Sequence, residues 1–444
     1  MFRLFAIGGL LAALARDGTA GQATCSNPGV PVGAAASREL LPGRLSLNLT
    51  VGVLPVSSTE TLDDVSGPVR YDSRLTLLEM RLAAEYAITK YLAIGGALPY
   101  RVVDVGVHYT DPSTNMERDP SFAGIHARNE VIRGLGDASL HVRSALIRGE
   151  WTVYARLGTT LPIAETVHED PFALGSIGQE HQHIQLGTGT FMPFVAAEVQ
   201  RRFAPWTAAV WSVAFLSAYE NSHGYQPGHR ISAGTTATRA LAKTLAVSLA
   251  AEVHAETAET WNGVIPEDEG NGGRYDIYAG VTAVWRATDR WSLTSDLRVP
   301  LYSHVTGNQT DYGIVAGFGL ITSFDLAPRA SYRGADIDIV GPAGTAAPLV
   351  PVAGKITVFD LWADWCAPCR ELDDGLAALA RAHPDKLAVR KLDVVDSDSA
   401  AWKAYLAADA ALPHLKVYGT DGALLFEQTA PPPVLLRRLE QVLR

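Results

Sequence analysis

The sequence has few cysteines, few charged residues and no long apolar run, and each shortage excludes a class of protein. Three cysteines in 444 residues are too few for a disulfide framework. Beyond the N-terminus, no segment approaches the roughly 20 uninterrupted apolar residues of a membrane-spanning helix. Charged residues make up 19% of the chain and the formal net charge is −10, so nucleic acid is not an expected partner. These shortages argue against a disulfide-rich protein, a helical membrane protein and a nucleic-acid-binding protein.

The N-terminus has the features of an export signal. A basic residue precedes the apolar run at 4–14, and small residues lead up to Ala23. We predict a signal peptide over residues 1–23 and a short lead over residues 24–43. Cys25 leaves a lipoprotein anchor as an alternative.

Hydrophobicity alternates with a period of two through most of the chain. The segment before the last one shows this alternation well, with apolar residues at Trp291, Leu293, Leu297, Val299 and Leu301. About twelve segments of this kind are separated by short turns that alternate with longer polar loops, as in outer-membrane barrels. A soluble β-sandwich also alternates and remains an alternative. We predict an antiparallel transmembrane β-barrel of about 12 strands over residues 44–326.

The predicted strand order has consequences for location. We place long loops at 56–73, 107–134 and 164–183, and one long strand at 184–202. An even number of strands returns the chain to its starting side, and short turns mark the periplasmic mouth. We therefore expect the bacterial outer membrane as the location, its lipid as a partner, and the chain after Leu326 in the periplasm.

Three short motifs resemble those of the outer-membrane proteins associated with the meta-pathway of phenol degradation. The motifs are Gly134-Leu-Gly-Asp137, Leu161-Pro162 and Gly187-Thr-Gly189. This resemblance implies passage of small, often aromatic molecules, so a channel or transporter with an accessory domain is the alternative function.

Charged residues on the predicted barrel strands allow two interpretations. Those expected to face inward are Glu79, Arg81, Glu85, Asp137, Arg143, Arg156, Glu252, Asp296 and Arg298. They could line a polar conduit, or a narrow barrel could fill its lumen with paired side chains. Loop residues pose a similar choice between a copper or zinc site and the ordinary composition of polar loops. These residues are His168, Glu169, Asp170, Glu180, His181, His183, His223 and His229. We predict no metal site and no cofactor.

A pair of cysteines near the C-terminus points most directly to a reaction. An apolar strand pattern ends in an aromatic turn, and Cys366 and Cys369 follow at the start of a helical pattern over 370–383. The free N–H groups and the dipole of a helix start stabilise a thiolate at Cys366. Cys369, one turn later, can attack a mixed disulfide formed there. A lone Cys-x-x-Cys can also be half of a zinc site, but the chain has no second pair.

The elements around these cysteines alternate between strand and helix. After a linker at 327–333, we predict a domain over 334–444 that begins with a hairpin, its first strand at 336–340 and its turn at 341–344. This order and the Trp-Cys-x-x-Cys motif resemble thioredoxin, particularly the periplasmic thioredoxin-like reductases. The resemblance implies an α/β thioredoxin fold.

The resemblance also implies site residues. Cys366 corresponds to the attacking cysteine and Cys369 to the resolving one. Asp360 matches the buried carboxylate that accepts the resolving thiol's proton, and Lys391 matches its partner. The implied substrate-binding residues are Trp365, Leu412 and Pro413, the last in a cis-proline loop.

Simpler interpretations remain for three of these residues. Asp360 could be an ordinary polar residue, although an acid in an apolar strand is costly unless it is used. Lys391 could be a solvated strand residue, and Pro413 could only break a strand. The chain also departs from the family pattern at His414 and at 429–433.

We therefore predict a thiol–disulfide oxidoreductase that acts on client proteins with disulfides or thiols and draws on a periplasmic electron donor. A non-catalytic interaction module is a further alternative. The direction of the reaction depends on a reduction potential that residues alone do not supply.

Overall fold

A computed structural model describes residues 40–125, 128–148, 150–203, 205–242, 244–266, 270–288, 290–306, 311–326, 332–363, 366–407 and 410–444. The predicted signal peptide, Cys25 and Trp365 lie outside these residues. The chain divides into two compact units, and the division falls after Leu326. Within the described ranges, no helix is both long enough and apolar enough to cross a membrane.

The first unit consists mainly of antiparallel strands. In chain order they are β1 (Arg44–Asp64), β2 (Gly67–Ala87), β3 (Leu92–Thr110), β4 (Glu130–Leu135), β5 (Ala138–Arg148), β6 (Trp151–Leu161), β7 (Pro193–Phe203), β8 (Trp206–Phe215), β9 (Tyr225–Gln226), β10 (Arg230–Ala242), β11 (Leu245–Thr257), β12 (Thr260–Trp261), β13 (Gly273–Arg286), β14 (Trp291–Val305) and β15 (Val315–Asp325). A short helix, α1 (Pro171–Ser176), lies between β6 and β7.

These strands close into a barrel. Strands β9 and β12 pair with each other, and the other thirteen segments form one sheet. Strands β4 and β5 share one position, because both pair with β3 on either side of residues 136 and 137. Strand β1 pairs with both β2 and β15, which closes the ring. The described residues therefore form a closed antiparallel barrel of twelve strands, as predicted.

The chain enters and leaves this barrel at the same end. The backbone N–H of Leu326 donates to the carbonyl of Gly43 at 2.8 Å. The short connections β2–β3, β5–β6, β7–β8, β10–β11 and β13–β14 also lie at this end, which we call the short-turn end. The longer connections lie at the opposite, long-loop end.

The predicted long loop at 56–73 is wrong. Strands β1 and β2 remain paired as far as Asp64 and Gly67, and only residues 65 and 66 turn. The polar residues that suggested a loop pair across the strands instead. The Ser58 and Ser73 hydroxyls lie 2.7 Å apart, and side-chain pairs of this kind stabilise a hairpin.

The predicted long strand at 184–202 is also wrong in its first half, since β7 begins only at Pro193. Residues before it fold around Asp137, whose carboxylate accepts hydrogen bonds from the backbone and hydroxyl of Thr188 at 2.7 and 2.9 Å. Gly189 follows with φ of +66°, a conformation that interrupts a strand and that glycine adopts without strain.

The barrel carries its apolar side chains outward. On β14, Leu293, Leu297 and Leu301 are exposed, whereas Ser292 is buried and Asp296 is half-buried on the other face. The same arrangement recurs around the ring, with exposed Leu140, Leu146, Leu157, Val195, Val210, Leu249 and Phe318. An apolar outer surface is the reverse of what a soluble barrel presents to water.

The second unit has the elements β16 (Ile337–Ile339), β17 (Ile356–Trp362), α2 (Ala367–Ala382), β18 (Leu387–Asp393), α3 (Ala400–Tyr405), β19 (His414–Tyr418), β20 (Leu424–Thr429) and α4 (Pro432–Leu443). The sheet order is β16-β18-β17-β19-β20. The first three strands are parallel to one another, and β19 and β20 are antiparallel to their neighbours.

The predicted leading hairpin is wrong, because β16 pairs in parallel with β18 instead of turning back on itself. Asp336 anchors it there through Lys355 at 2.7 Å and Arg390 at 2.8 Å. The following backbone then continues along the end of β18, where the Gly344 N–H donates to the carbonyl of Asp393 at 2.8 Å.

Strand β17 is the centre of this unit and is buried on both faces. On one face Val358 packs with Leu372 and Leu376 of α2 and with Leu435 and Leu439 of α4. On the other face Phe359 and Leu361 pack with residues of α3. A continuous apolar run is typical of such a strand, and Asp360 interrupts it on the face of α2.

Candidate active site

The two cysteines lie at the start of α2. Cys366 caps the helix, Cys369 lies in its first turn, and a disulfide joins them. The backbone N–H of Cys369 donates to Sγ of Cys366 at 3.2 Å. Pro368 occupies the first turn, where a missing N–H costs nothing. In the reduced state these N–H groups would stabilise a thiolate on Cys366.

Asp360 is fully buried beside this dithiol-bearing helix. Neither of its carboxylate oxygens has a hydrogen-bond partner among the described residues, and the nearest cation is the Lys391 ammonium at 3.5 Å from Oδ2. Burial raises the pKa of Asp360 to about 6, although the Lys391 charge acts in the opposite direction. A carboxyl group of this kind can take or give a proton near neutral pH.

Lys391 is buried, so it is not a solvated strand residue. It lies opposite Asp360 in the parallel pair of β17 and β18. Its ammonium contacts Asp373 Oδ1 at 2.5 Å and lies 4.7 Å from the centre of the Trp362 ring. Burial lowers the pKa of Lys391, but the Asp360 and Asp373 carboxylates outweigh burial and leave it raised.

Sequence reasoning missed two members of this cluster, Asp373 and Tyr332. The Tyr332 hydroxyl donates to Asp373 Oδ2 at 2.7 Å. Burial, helped by this contact, raises the pKa of Tyr332 to about 12. Asp373 could have been found, because it follows Cys369 by four residues and so lies on the same helix face. Tyr332 lies in the segment predicted as a linker, where the pattern carries no signal.

The predicted substrate-binding loop precedes β19. The Leu412–Pro413 peptide bond is cis, as predicted, and Pro413 is buried. The next residue, His414, is tied to β20, with Nδ1 at 2.8 Å from the Thr429 hydroxyl and Nε2 at 2.9 Å from Glu427. Burial lowers the pKa of His414 against the pull of Glu427, which favours a neutral ring.

The loop histidines do not assemble into a metal centre. His181 and His183 meet edge to face at 4.8 Å, and His168 stacks on His223 at 4.6 Å. Across the parts of the chain that the structure describes, no group of three or more histidine, cysteine or acidic side chains is arranged to hold a metal ion.

The barrel lumen holds ion pairs. Arg101 contacts Glu79 at 3.0 Å, Arg143 contacts Glu85, and Arg298 lies between Glu252 and Asp296. Glycines on neighbouring strands leave room for these side chains. A Cβ added at Gly317 would lie 2.1 Å from Asp296 Oδ1, which is closer than any real contact.

An apolar cluster lies in the lumen nearer the long-loop end. Its buried members are Leu54, Val56, Leu75, Leu77, Val103, Val105, Ile184, Tyr278, Tyr312 and Val315. They come from β1 to β3, from β13 and β15, and from the connections that carry Ile184 and Tyr312. At the short-turn end, Leu40 packs with Ala87, Ala93 and Tyr154. These contacts favour a filled lumen over an open polar conduit.

Comparison with known proteins identifies the C-terminal unit. The thioredoxin family profile matches residues 349–426. Thioredoxin from Alicyclobacillus acidocaldarius subsp. acidocaldarius is 48% identical over 40 residues, which are 9% of this chain and 38% of that protein. Thioredoxin-1 of Drosophila melanogaster is 42% identical over 40 residues, which are 9% of this chain and 37% of that protein. The chain thus spans less than two fifths of these curated relatives. The predicted thioredoxin domain is confirmed.

A solved outer membrane channel from Pseudomonas putida F1 is similar to the barrel. It is 13% identical, with a TM-score of 0.45, and the match covers 66% of this chain and 100% of that one.

Proposed function

We propose that this protein is an outer-membrane β-barrel that carries a thiol–disulfide oxidoreductase on its periplasmic side. The substrates are client proteins with disulfides or thiols. The observation that carries the redox assignment is a fully buried carboxylate, Asp360, on the strand that packs against a helix beginning with a dithiol. A non-catalytic module would have no use for this carboxylate, which is costly to bury.

The location is supported by the two faces of the barrel. Its outer surface is apolar, and its charges are paired in the lumen, as an outer-membrane strand pattern requires. The chain leaves the barrel at the short-turn end, which in such barrels faces the periplasm. On this basis the thioredoxin domain works in the periplasm.

The proposed reaction has two exchange steps. The Cys366 thiolate attacks a client disulfide, forms a mixed disulfide and releases one client thiolate. Cys369 then gives its proton to Asp360 and attacks Sγ of Cys366. This step forms the Cys366–Cys369 disulfide, releases the second client thiolate and completes a two-electron reduction. In reverse, the same steps oxidise a client dithiol.

Continued reduction needs a source of electrons outside this chain. A periplasmic dithiol donor must reopen the Cys366–Cys369 disulfide after each turnover, by the same exchange chemistry. The donor is therefore a second protein partner of the proposed enzyme.

The test uses the full-length protein in detergent and the third cysteine as a control. Cys366→Ser removes the attacking sulfur, and we expect it to abolish reduction of insulin disulfides with dithiothreitol as donor. Cys25→Ser removes a thiol outside the domain, and we expect it to retain full activity. Unchanged turnover in the Cys366→Ser protein would refute the enzyme.

A further inference from the structure

Two carboxylates share the Lys391 ammonium, and they share it unequally. Nζ lies 2.5 Å from Asp373 Oδ1 but 3.5 Å from Asp360 Oδ2. The first contact is a charge-assisted hydrogen bond, whereas the second is a longer ion-pair contact. Asp360, the carboxylate on β17, is therefore the one that lies farther from the Lys391 ammonium.

The side chains around Lys391 hold it in this position. Tyr332 binds the second oxygen of Asp373, at 2.7 Å, and so fixes the orientation of that carboxylate. The Trp362 and Tyr332 rings lie 4.7 and 5.7 Å from Nζ, and both attract a cation. The hydrogen bond to Asp373 holds the ammonium toward α2, whereas the Trp362 ring contacts it from the end of β17.

We propose that Asp373 is a positioning residue that holds Lys391 off Asp360 and thereby keeps Asp360 available as the proton acceptor for Cys369. This role rests on the proposed oxidoreductase activity. A lysine that donated directly to Asp360 would stabilise its ionised form and make it a weaker base. Asp373 prevents this by accepting that hydrogen bond itself, and its own negative charge adds to the effect.

Among the described residues, the charged groups that act on Asp360 are Lys391 and Asp373. Lys391 comes from β18, Asp373 from α2, and Tyr332 acts through Asp373. The dithiol occupies the start of the same helix as Asp373. A change at Asp373 should therefore reach Asp360 through Lys391 and through direct repulsion.

The chain offers a matched control for this residue. Asp374 is the next residue of α2 and is exposed, so Asp374→Asn removes the same charge from the same helix without touching the cluster. Asp373→Asn keeps the shape of the side chain and its place between Tyr332 and Lys391. All variants are made in the full-length Cys25→Ser protein, in which only the dithiol reacts.

The experiment separates the two exchange steps. One equivalent of an aromatic disulfide reagent is mixed with the reduced protein. A first release of coloured thiolate reports attack by Cys366, and a second release reports resolution by Cys369. The rate of the second release is measured as a function of pH, and its midpoint reports the group that accepts the proton.

We expect Asp373→Asn to move this midpoint down by about one pH unit and to lower the plateau rate, because Asp360 becomes a weaker base. Asp374→Asn should leave the midpoint in place. In an Asp360→Asn background, Asp373→Asn should have no further effect on the profile, since the two residues act in series.

Three results would overturn the proposal: an unmoved midpoint in Asp373→Asn, an equal shift in Asp374→Asn, or the same shift in the absence of Asp360. A wild-type protein that shows no second release would instead overturn the oxidoreductase itself. The two failures are therefore distinguishable.

Discussion

Leu361 of β17 and His414 of β19 lie opposite each other in an antiparallel pair. The chain reaches the dithiol shortly after Leu361, and it passes the cis-proline immediately before His414. Because the two strands run in opposite directions, the dithiol and the proline loop lie at the same end of the two strands. We propose that a client strand binds along this loop and presents its disulfide to Cys366.

The Asp360→Asn variant should change how stability depends on pH. The pKa of Asp360 in the folded protein is about 6, above the ordinary value of 3.8. Between these values the folded protein holds a proton that the unfolded chain has lost, so stability falls as the pH rises through this window and stays low above it. The cost of the ionised, buried carboxylate is on the order of 3 kcal/mol.

We therefore expect Asp360→Asn to be more stable than the wild type at neutral pH. Its stability should not fall as the pH rises from about 4 to 6. Guanidinium unfolding of the excised unit 332–444, repeated across this pH range, measures the effect. The Asp374→Asn control should keep the wild-type slope. The prediction fails if Asp360→Asn retains that slope.

Cys369→Ser should accumulate mixed disulfides with client proteins. Without the resolving sulfur, the bond between Cys366 and the client persists until an external thiol cleaves it. Cells that express Cys25→Ser/Cys369→Ser should yield adducts on non-reducing gels, and mass spectrometry identifies the clients. A further Cys366→Ser change should remove every adduct, and adducts that survive it would assign the trapping to another group.

The filled lumen should conduct poorly. We expect wild-type protein in liposomes to give no more swelling in small sugars than protein-free liposomes, because ion pairs and the apolar cluster occupy the interior. The Ile184→Ala/Tyr278→Ala double variant shortens two members of that cluster and should increase swelling. Ile177→Ala, at an exposed position of the same connection as Ile184, is the control. Wild-type swelling at the level of an open porin would contradict the prediction.

Tag accessibility tests the location of the two ends of the barrel. An epitope inserted after Ile265, in the exposed connection between β12 and β13, should bind antibody on intact cells. The same epitope after Arg444 should bind only once the outer membrane has been permeabilised. Antibody binding to the C-terminal tag on intact cells would place the thioredoxin domain outside the cell and reverse the proposed orientation.

The strand count and the elements of the C-terminal unit were predictable, because both leave strong local patterns. Alternation is clear on strands such as β7 and β14, since one face of each strand lies toward the lumen. The errors fell where contacts outside the local segment decide the structure. The 56–73 region is polar, but cross-strand pairs such as Ser58 and Ser73 keep it extended. The region before Pro193 alternates well, but the Asp137 carboxylate folds it into a turn.

The candidate site was likewise predictable from the sequence only in part. A dithiol at the start of a helix, an acid within an apolar strand and a proline before another strand are local features, so residue order alone was enough to propose the chemistry of Cys366, Cys369 and Asp360. The division of one ammonium between Asp360 and Asp373 required the folded chain. It depends on the register of β17 with β18, on the rotation of α2 and on the reach of Tyr332. Differences of about an ångström between such distances are set by the packing of several elements, and no single segment of the sequence determines that packing.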